Sequence, residues 1–492
     1  MAPEANALSI ELRGLTSYKY DKNLRKSRTK TPFRYFPDFF PGLTAARIPV
    51  RCPFPKTANP MRYLIDLAYI LALLGYSPKI VYRMLKENRY RSGWDQRLGK
   101  IQRRFPERPC LWIHAVSVGE VNAARTLIDK LLRQMPEYEI VLTSTTDTGL
   151  QRARSLYEKT LTVSYFPFDF SWIMKRAFRQ INPKAILLME LEVWPNLTIL
   201  ASEQKIPVIV VNGRLSDKSF PRYLKIRPFV RRTFSRLAMV LAQTEEYAHR
   251  FIALGCPPER VRITSSLKYD TARTEPDAPA VQKLAEQLHL GPEPLWVVGG
   301  TGPGEEQIAL EIFSRLKKES PLESLRMAVI PRKPERFEEV ADLIRGSGFP
   351  WVRYSRLKEQ NTAAEGKPDI ILGDTMGDLN NFYALATVVF VGRTLVPMGG
   401  SDMMESAALG KCTLFGPHTF NFKQTVQELL AGQGAIEVAD KEQLFEMTRK
   451  CLLDRDFARR IAENGRNIIL RSKGATQKTL QALREVLSGG GV

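Results

Sequence analysis

Two series of short apolar runs separated by helical patterns constrain this chain more than any other feature. The first series is Ile113–Val116, Glu139–Thr143, Ala185–Met189, Val208–Val211 and Ala238–Ala242. The second is Leu295–Val298, Met327–Ile330, Ile370–Leu372, Val388–Val391 and Thr413–Phe415. Strand-length runs rich in β-branched residues, alternating with helices, predict parallel sheets covered on both faces. The polar, Pro-rich stretch 271–280 reads as a linker between the two series, and residues 440–487 read as helical. The expectation is an α/β chain with two Rossmann-like domains facing a cleft, residues 93–275 and 276–492. In such sheets ligands bind beyond the carboxyl ends of the strands.

The polar residues with chemical potential fall at those strand ends. Leu111–Val116 is a buried-strand run, Ser117-Val118-Gly119 breaks it, and Glu120 opens a helix. A helix N-terminus favours an ionised carboxylate, which can accept a proton from a substrate hydroxyl. In isolation, a first-turn Glu more often only complements the helix dipole. Three further loops share its position: Thr143–Gly149, Met189–Asn196 with Glu190 and Glu192, and Val211–Asp217. Together the four loops suggest one functional rim. In the second series, the Gly-rich turn Gly299–Glu306 follows a strand and opens a helix, a place where backbone N–H groups suit an anion, typically phosphate. Pro331-Arg332, Gly373–Leu379 and Gly399–Ser406 end or follow later strands. Glu405 could accept hydrogen bonds from neighbouring ribose hydroxyls; alone it also reads as a helix-start charge.

The formal net charge of +21 implies a polyanionic partner. No nucleic-acid module is visible, so phosphorylated substrates and anionic lipid are favoured over nucleic acid. The cysteines are scattered without CxxC spacing and the four histidines are dispersed, which predicts a reducing compartment and no metal site. Residues 1–60 are basic, Pro- and Arg-rich and aperiodic, and are expected to be a disordered extension. The change of character at Met61 suggests a translation start there. Tyr63–Tyr76 is apolar but short for a bilayer span, and it carries Asp66. With the basic residues Lys79 to Arg91 behind it, segment 61–92 reads as a membrane-anchoring or in-plane helix on anionic headgroups. A buried domain helix is the other reading.

A series of ordered motifs resembles the 3-deoxy-D-manno-octulosonic acid (Kdo) transferases, glycosyltransferases of the GT-B architecture. They are His114-Ala-Val-Ser-Val-Gly-Glu120, Met189-Glu-Leu-Glu-Val-Trp-Pro-Asn-Leu197, Val211-Asn-Gly-Arg-Leu-Ser216, Leu267-Lys268, Pro331-Arg332 with Pro334-Glu-Arg-Phe337, Leu372-Gly-Asp-Thr-Met-Gly377 and Leu414-Phe-Gly-Pro-His418. The match runs from about Met61 to near the C-terminus. The resemblance implies transfer of Kdo from CMP-Kdo to a phosphorylated lipid A precursor at the cytoplasmic face of the inner membrane. It implies Glu120 as general base, Glu190 and Lys268 as transition-state stabilisers, and CMP contacts from Pro331, Arg332, Met376, Gly377, Asp378, Asp402, Met403, Met404 and Glu405. A monophosphate leaving group needs no bridging metal, and no cofactor is expected. The chain departs from the family pattern at Gly302 and Lys333, where histidines are expected. It departs again at Ser265-Ser266, in place of Gly-Asn, and at Ser401-Asp402-Met403-Met404 before Glu405, in place of His-Asn-Pro-Leu. The altered 401–404 segment keeps a different nucleotide sugar open as a second reading. A non-catalytic protein that binds anionic lipid is a third.

Overall fold

The computed structural model describes residues 61–86, 93–276 and 278–489; the predicted extension 1–60 and the basic positions Arg89 and Arg91 lie outside them. The chain forms two compact units. One runs to Leu267 and takes in the chain again from Gly474, and the other is Lys268–Lys473.

The first unit holds a parallel sheet of β1 (Cys110–His114), β2 (Glu139–Ser144), β3 (Thr162–Tyr165), β4 (Pro183–Met189), β5 (Val208–Gly213), β6 (Met239–Ala242) and β7 (Val261–Ile263). Their order is β3-β2-β1-β4-β5-β6-β7. The chain builds outward from β1, then returns to lay β4 against it, with Leu111 opposite Ala185 and Ile113 opposite Leu187. That reversal is a topological switch point, where such sheets open a crevice. Alternate residues of β1 explain why it must be central. Leu111 and Ile113 enter the core on one face, and Trp112 enters the other beside Phe166 and Phe178.

The second unit repeats the plan with β8 (Leu295–Thr301), β9 (Arg326–Pro331), β10 (Trp351–Arg353), β11 (Ile370–Leu372), β12 (Val388–Val391), β13 (Cys412–Phe415) and β14 (Ile436–Glu437). The order is β10-β11-β9-β8-β12-β13-β14, so the switch point lies between β8 and β12. Both units are thus Rossmann-like. The apolar runs located all the interior strands. The four strands they missed, β3, β7, β10 and β14, are the edges of the two sheets. An edge strand is covered less completely, so it shows no unbroken apolar run; all three residues of β10 are half-buried.

Two boundaries differ from the sequence expectation. The second unit begins at Lys268, ahead of the Pro-rich stretch, and the closing helix Ala475–Ser488 belongs to the first unit rather than to a domain 276–492. Leu480 and Leu483 of that helix join the core that includes Leu127 and Leu131. Helical periodicity identifies an apolar face but not the surface that receives it.

The helix Met61–Lys86 is docked inside out. Among its described side chains, the buried ones are Arg62 and Asp66. Asp66 accepts hydrogen bonds from Ser171 N (2.8 Å), Ser171 Oγ (2.5 Å) and Asn196 Nδ2 (2.9 Å). Tyr69 Oη donates to Asp169 (3.0 Å), and Arg62 pairs with Glu203 (3.1 Å). Its apolar residues Tyr63, Leu64, Leu67, Ile70, Leu71 and Leu74 are exposed. The described part of the helix therefore does not bury the apolar face that the domain-helix reading expected. Among the described residues no helix is long and apolar enough to cross a membrane.

Candidate functional site

In the first unit, β1 and β4 flank the switch point, and their following residues bring Glu120 and Glu190 together. Ser117 caps the helix Val118–Gln134, and Glu120 reaches back over the cap. Its carboxylate accepts from Val116 N (2.9 Å) and Ser117 Oγ (3.2 Å). These bonds fix the side chain at the strand end and leave it 9% exposed. Burial raises its pKa well above the ordinary carboxylate value, and the neighbouring charges of Glu190 and Glu192 raise it further; the two hydrogen bonds only partly oppose this. This reverses the expectation that the helix terminus alone would keep Glu120 ionised, because desolvation and like charges outweigh the dipole. A carboxylate so tuned is a stronger base near neutral pH.

The rim beside Glu120 is conformationally strained. Glu190 and Asn212 both adopt the left-handed backbone region, with φ 57° each, although neither is glycine. Glu190 N donates to Val211 O (2.9 Å), tying the end of β4 to β5. Asn212 is buried, and its Oδ1 accepts from Leu267 N (3.0 Å) while its Nδ2 has no partner. Asn196 Oδ1 and Trp194 Nε1 are likewise buried without partners. Below the rim, His114 stacks on Phe166 at 3.9 Å, and burial lowers its pKa to about 3, so the ring is neutral. His114 therefore serves packing rather than proton transfer.

In the second unit, Lys268, Arg332, Asp402 and Glu405 form one electrostatic cluster. Burial raises the pKa of Asp402, while Met404 N–H, Lys268 and Arg332 oppose the rise. Burial and then Asp402 push Glu405 up to about 7, against Arg332. Lys268 lies on the exposed surface of the short helix Leu267–Thr271. Within this unit, Lys268 therefore shares its electrostatic neighbourhood with residues predicted to contact CMP. Pro331 closes β9, and Arg332 N donates to Thr301 O (3.2 Å). Met403 and Met404 are core residues, 0% and 4% exposed, so only their backbone is available to a ligand. Met376 is exposed, and Gly377 has φ 95°. Asp378 is engaged by Lys358 Nζ (2.5 Å) and Thr375 Oγ1 (2.6 Å), which makes it a loop-holding residue. Tyr383, which the sequence did not single out, is fully buried with an unpartnered hydroxyl; burial, then Glu405 and Asp402, raise its pKa.

In the Gly-rich turn after β8, an internal carboxylate takes up one of the N–H groups that the composition suggested for an anion. Glu305 accepts from Gly302 N (2.9 Å) and from three successive N–H groups beyond β12: Arg393 (2.5 Å), Thr394 (2.9 Å) and Leu395 (3.0 Å). One carboxylate thus ties together the two loops that flank the second switch point. Glu306 is equally committed, to Thr301 Oγ1 and the Arg336 guanidinium. A Cβ at Gly302 would come within 2.7 Å of Met398 Sδ, so no side chain fits there without rearrangement.

Residues 92–271 match the family model described as 3-deoxy-D-manno-octulosonic-acid transferase. A 3-deoxy-D-manno-octulosonic acid transferase of Haemophilus influenzae is 32% identical over 407 residues, covering 82% of this chain and 93% of that protein. The chain belongs to the Kdo transferase family. A second transferase of that name, from Bordetella pertussis, is 31% identical over 85% of this chain and 99% of its own length. Among solved structures, the C-terminal CMP-Kdo binding domain of WaaA from Acinetobacter baumannii is 26% identical, with a TM-score of 0.35, covering 38% of this chain and 95% of that one. The family model spans both Glu120 and Glu190, and the Haemophilus relative extends the similarity well beyond it.

Proposed function

We propose that this Kdo transferase moves Kdo from CMP-Kdo to a phosphorylated lipid A precursor, at the cytoplasmic face of the inner membrane, in lipopolysaccharide biosynthesis. The observation that carries the mechanism is Glu120: a buried carboxylate of raised pKa, held at the switch point beside Glu190. Glu120 takes the proton of the acceptor hydroxyl as that oxygen attacks the anomeric carbon of Kdo. The bond from that carbon to the phosphate of CMP breaks, and the phosphate leaves with the electron pair. A single displacement of this kind inverts the anomeric centre. Glu190 suits positive charge developing on the sugar, and Lys268 and Arg332 suit negative charge on the departing phosphate. Glu405 suits the ribose hydroxyls of CMP, with Pro331, Met376, Gly377, Asp378 and the backbone of Asp402 to Met404 around the nucleotide. The inverted helix Met61–Lys86 supports an in-plane membrane contact, because its apolar face is turned away from the protein.

The test is incubation of the purified protein with CMP-Kdo and a tetra-acylated lipid A precursor, with mass spectrometry of the lipid. A Kdo mass increment is expected, and Glu120→Gln should lower the rate by about 10²–10⁴-fold, the usual worth of a positioned base. A normal rate in that variant would remove the base assignment. The buried Met403-Met404 pair favours testing a second reading, a different nucleotide sugar. Turnover of a UDP-sugar without turnover of CMP-Kdo would decide for it.

A further inference from the structure

A second outward surface of the first unit is built from the short helices Phe220–Lys225 and Arg227–Phe234. From Lys218 to Thr244 the chain contains no acidic residue. Arg222, Lys225, Arg227, Arg231 and Arg232 are exposed, and none makes an ion pair among the described residues. Between them stand apolar side chains that the fold does not cover: Phe229 is 79% exposed, with Ile226 and Leu224 also exposed. The opposite side of the pair is firmly anchored. Phe234 is buried against Phe251 (6.0 Å between ring centroids) and Tyr223 (6.2 Å). Phe229 is therefore not a core residue out of place but a side chain presented to the outside.

The position of this surface says what covers it. The helix Pro195–Glu203 packs against both Met61–Lys86 and Arg227–Phe234. At its end, Glu203 pairs with Arg62 of the first and carries the acidic charge that acts on Arg236, just beyond the second. The helix Met61–Lys86 and the basic pair are thus neighbours on the first unit, bridged by one helix. Trp172, half exposed, stands beside the docked helix through its contact with Phe170, which in turn meets Tyr69. An apolar stripe, an interfacial tryptophan and an unneutralised basic cluster with a projecting phenylalanine together match the headgroup zone of an anionic bilayer.

We propose that residues 220–232 form a second membrane footprint, binding anionic phospholipid headgroups through the arginines and inserting Phe229 among the acyl chains. The proposal rests on the in-plane reading of Met61–Lys86 and extends it. The helix supplies apolar burial, and this surface supplies selection for negative charge and fixes the rotation of the unit on the bilayer.

The experiment is flotation of the full chain with equimolar phosphatidylethanolamine–phosphatidylglycerol vesicles and with phosphatidylcholine vesicles. Two variants are compared with wild type: Arg227→Gln/Arg231→Gln/Arg232→Gln, and Leu64→Ser/Leu67→Ser/Leu71→Ser on the helix. Wild type should float with the anionic vesicles much more than with the neutral ones. Each neutralised arginine should lower the partition coefficient about 5-fold, and the triple variant on the order of 100-fold. Its thermal midpoint should not change, because all three side chains are exposed. If the arginine variant floats like wild type while the helix variant does not, this inference fails and the helix reading survives. If wild type floats with neither vesicle, both fail. Equal flotation with both vesicles overturns the charge selection. A stoichiometric complex with an acidic protein that forms without lipid and is lost in the arginine variant would assign the surface to that partner instead.

Discussion

Replacing Glu305 by alanine tests the claim that a carboxylate, rather than a ligand phosphate, occupies the second switch point. The substitution removes both acceptors for Gly302, Arg393, Thr394 and Leu395 N–H at once. A buried donor left without a partner costs about 1–3 kcal/mol, so four donors set a range of about 4–12 kcal/mol. Residues 393 and 395 are half-buried and water can reach them as the loop relaxes, so the loss should fall at the lower end, about 4 kcal/mol. For a unit of the size of Lys268–Lys473 each kcal/mol shifts the midpoint by about 2–4 °C, giving a fall of about 8–16 °C. Scanning calorimetry of the full chain reads this as a lowered transition for the second unit. CMP affinity, measured by titration calorimetry, should fall as well, since Arg393 and Ser401 belong to the loop that leads to Glu405. Glu305→Gln should be intermediate, because it keeps one acceptor oxygen but turns an NH₂ towards donors. The reasoning is refuted if Glu305→Ala melts with wild type, or if it binds CMP more tightly. Tighter binding would mean that the carboxylate had been competing with phosphate for the same N–H groups.

Two further outcomes concern protons. Glu120 must be ionised to act as base, so kcat/KM should fall as pH drops through its raised pKa, above the pH at which an ordinary glutamate titrates. Because the charge of Glu190 contributes to that rise, Glu190→Gln should move the acid limb of the pH profile to lower pH; an unmoved limb would separate the two residues. Burial, with the charge of Asp402, pushes the pKa of Glu405 up to about 7, and ribose hydroxyls bond more strongly to its ionised form. CMP binding near pH 7 should therefore release protons and weaken as pH falls, seen by calorimetry in buffers of different ionisation enthalpy, and both effects should vanish in Glu405→Gln.

The sequence was informative where burial is complete. The interior strands of both sheets show as unbroken apolar runs because both of their faces are covered by helices, and the polar residues that interrupt them mark the rims. Glu190 was visible in that way, as a charge directly after an apolar strand, while Glu120 and Glu405 were visible as charges in the first turn of helices that follow such strands. Asp66 was also visible, as a carboxylate inside an apolar segment. It counted only against a membrane span, since nothing local in the sequence names Ser171 and Asn196 as its partners.

What the chain determined by itself is the ten interior strands of the fourteen among the described residues, each burying both faces, and the family motifs carried near their ends. The partners of the elements were decided by tertiary structure. It set Glu305 across to a loop some ninety residues away, returned the closing helix to the first unit, and turned the helix Met61–Lys86 so that its polar residues face in. The reason is physical. Periodicity records how much of a side chain's surroundings are apolar, whereas hydrogen-bond partners, raised pKa values and the choice of receiving surface depend on atoms brought together from distant parts of the chain.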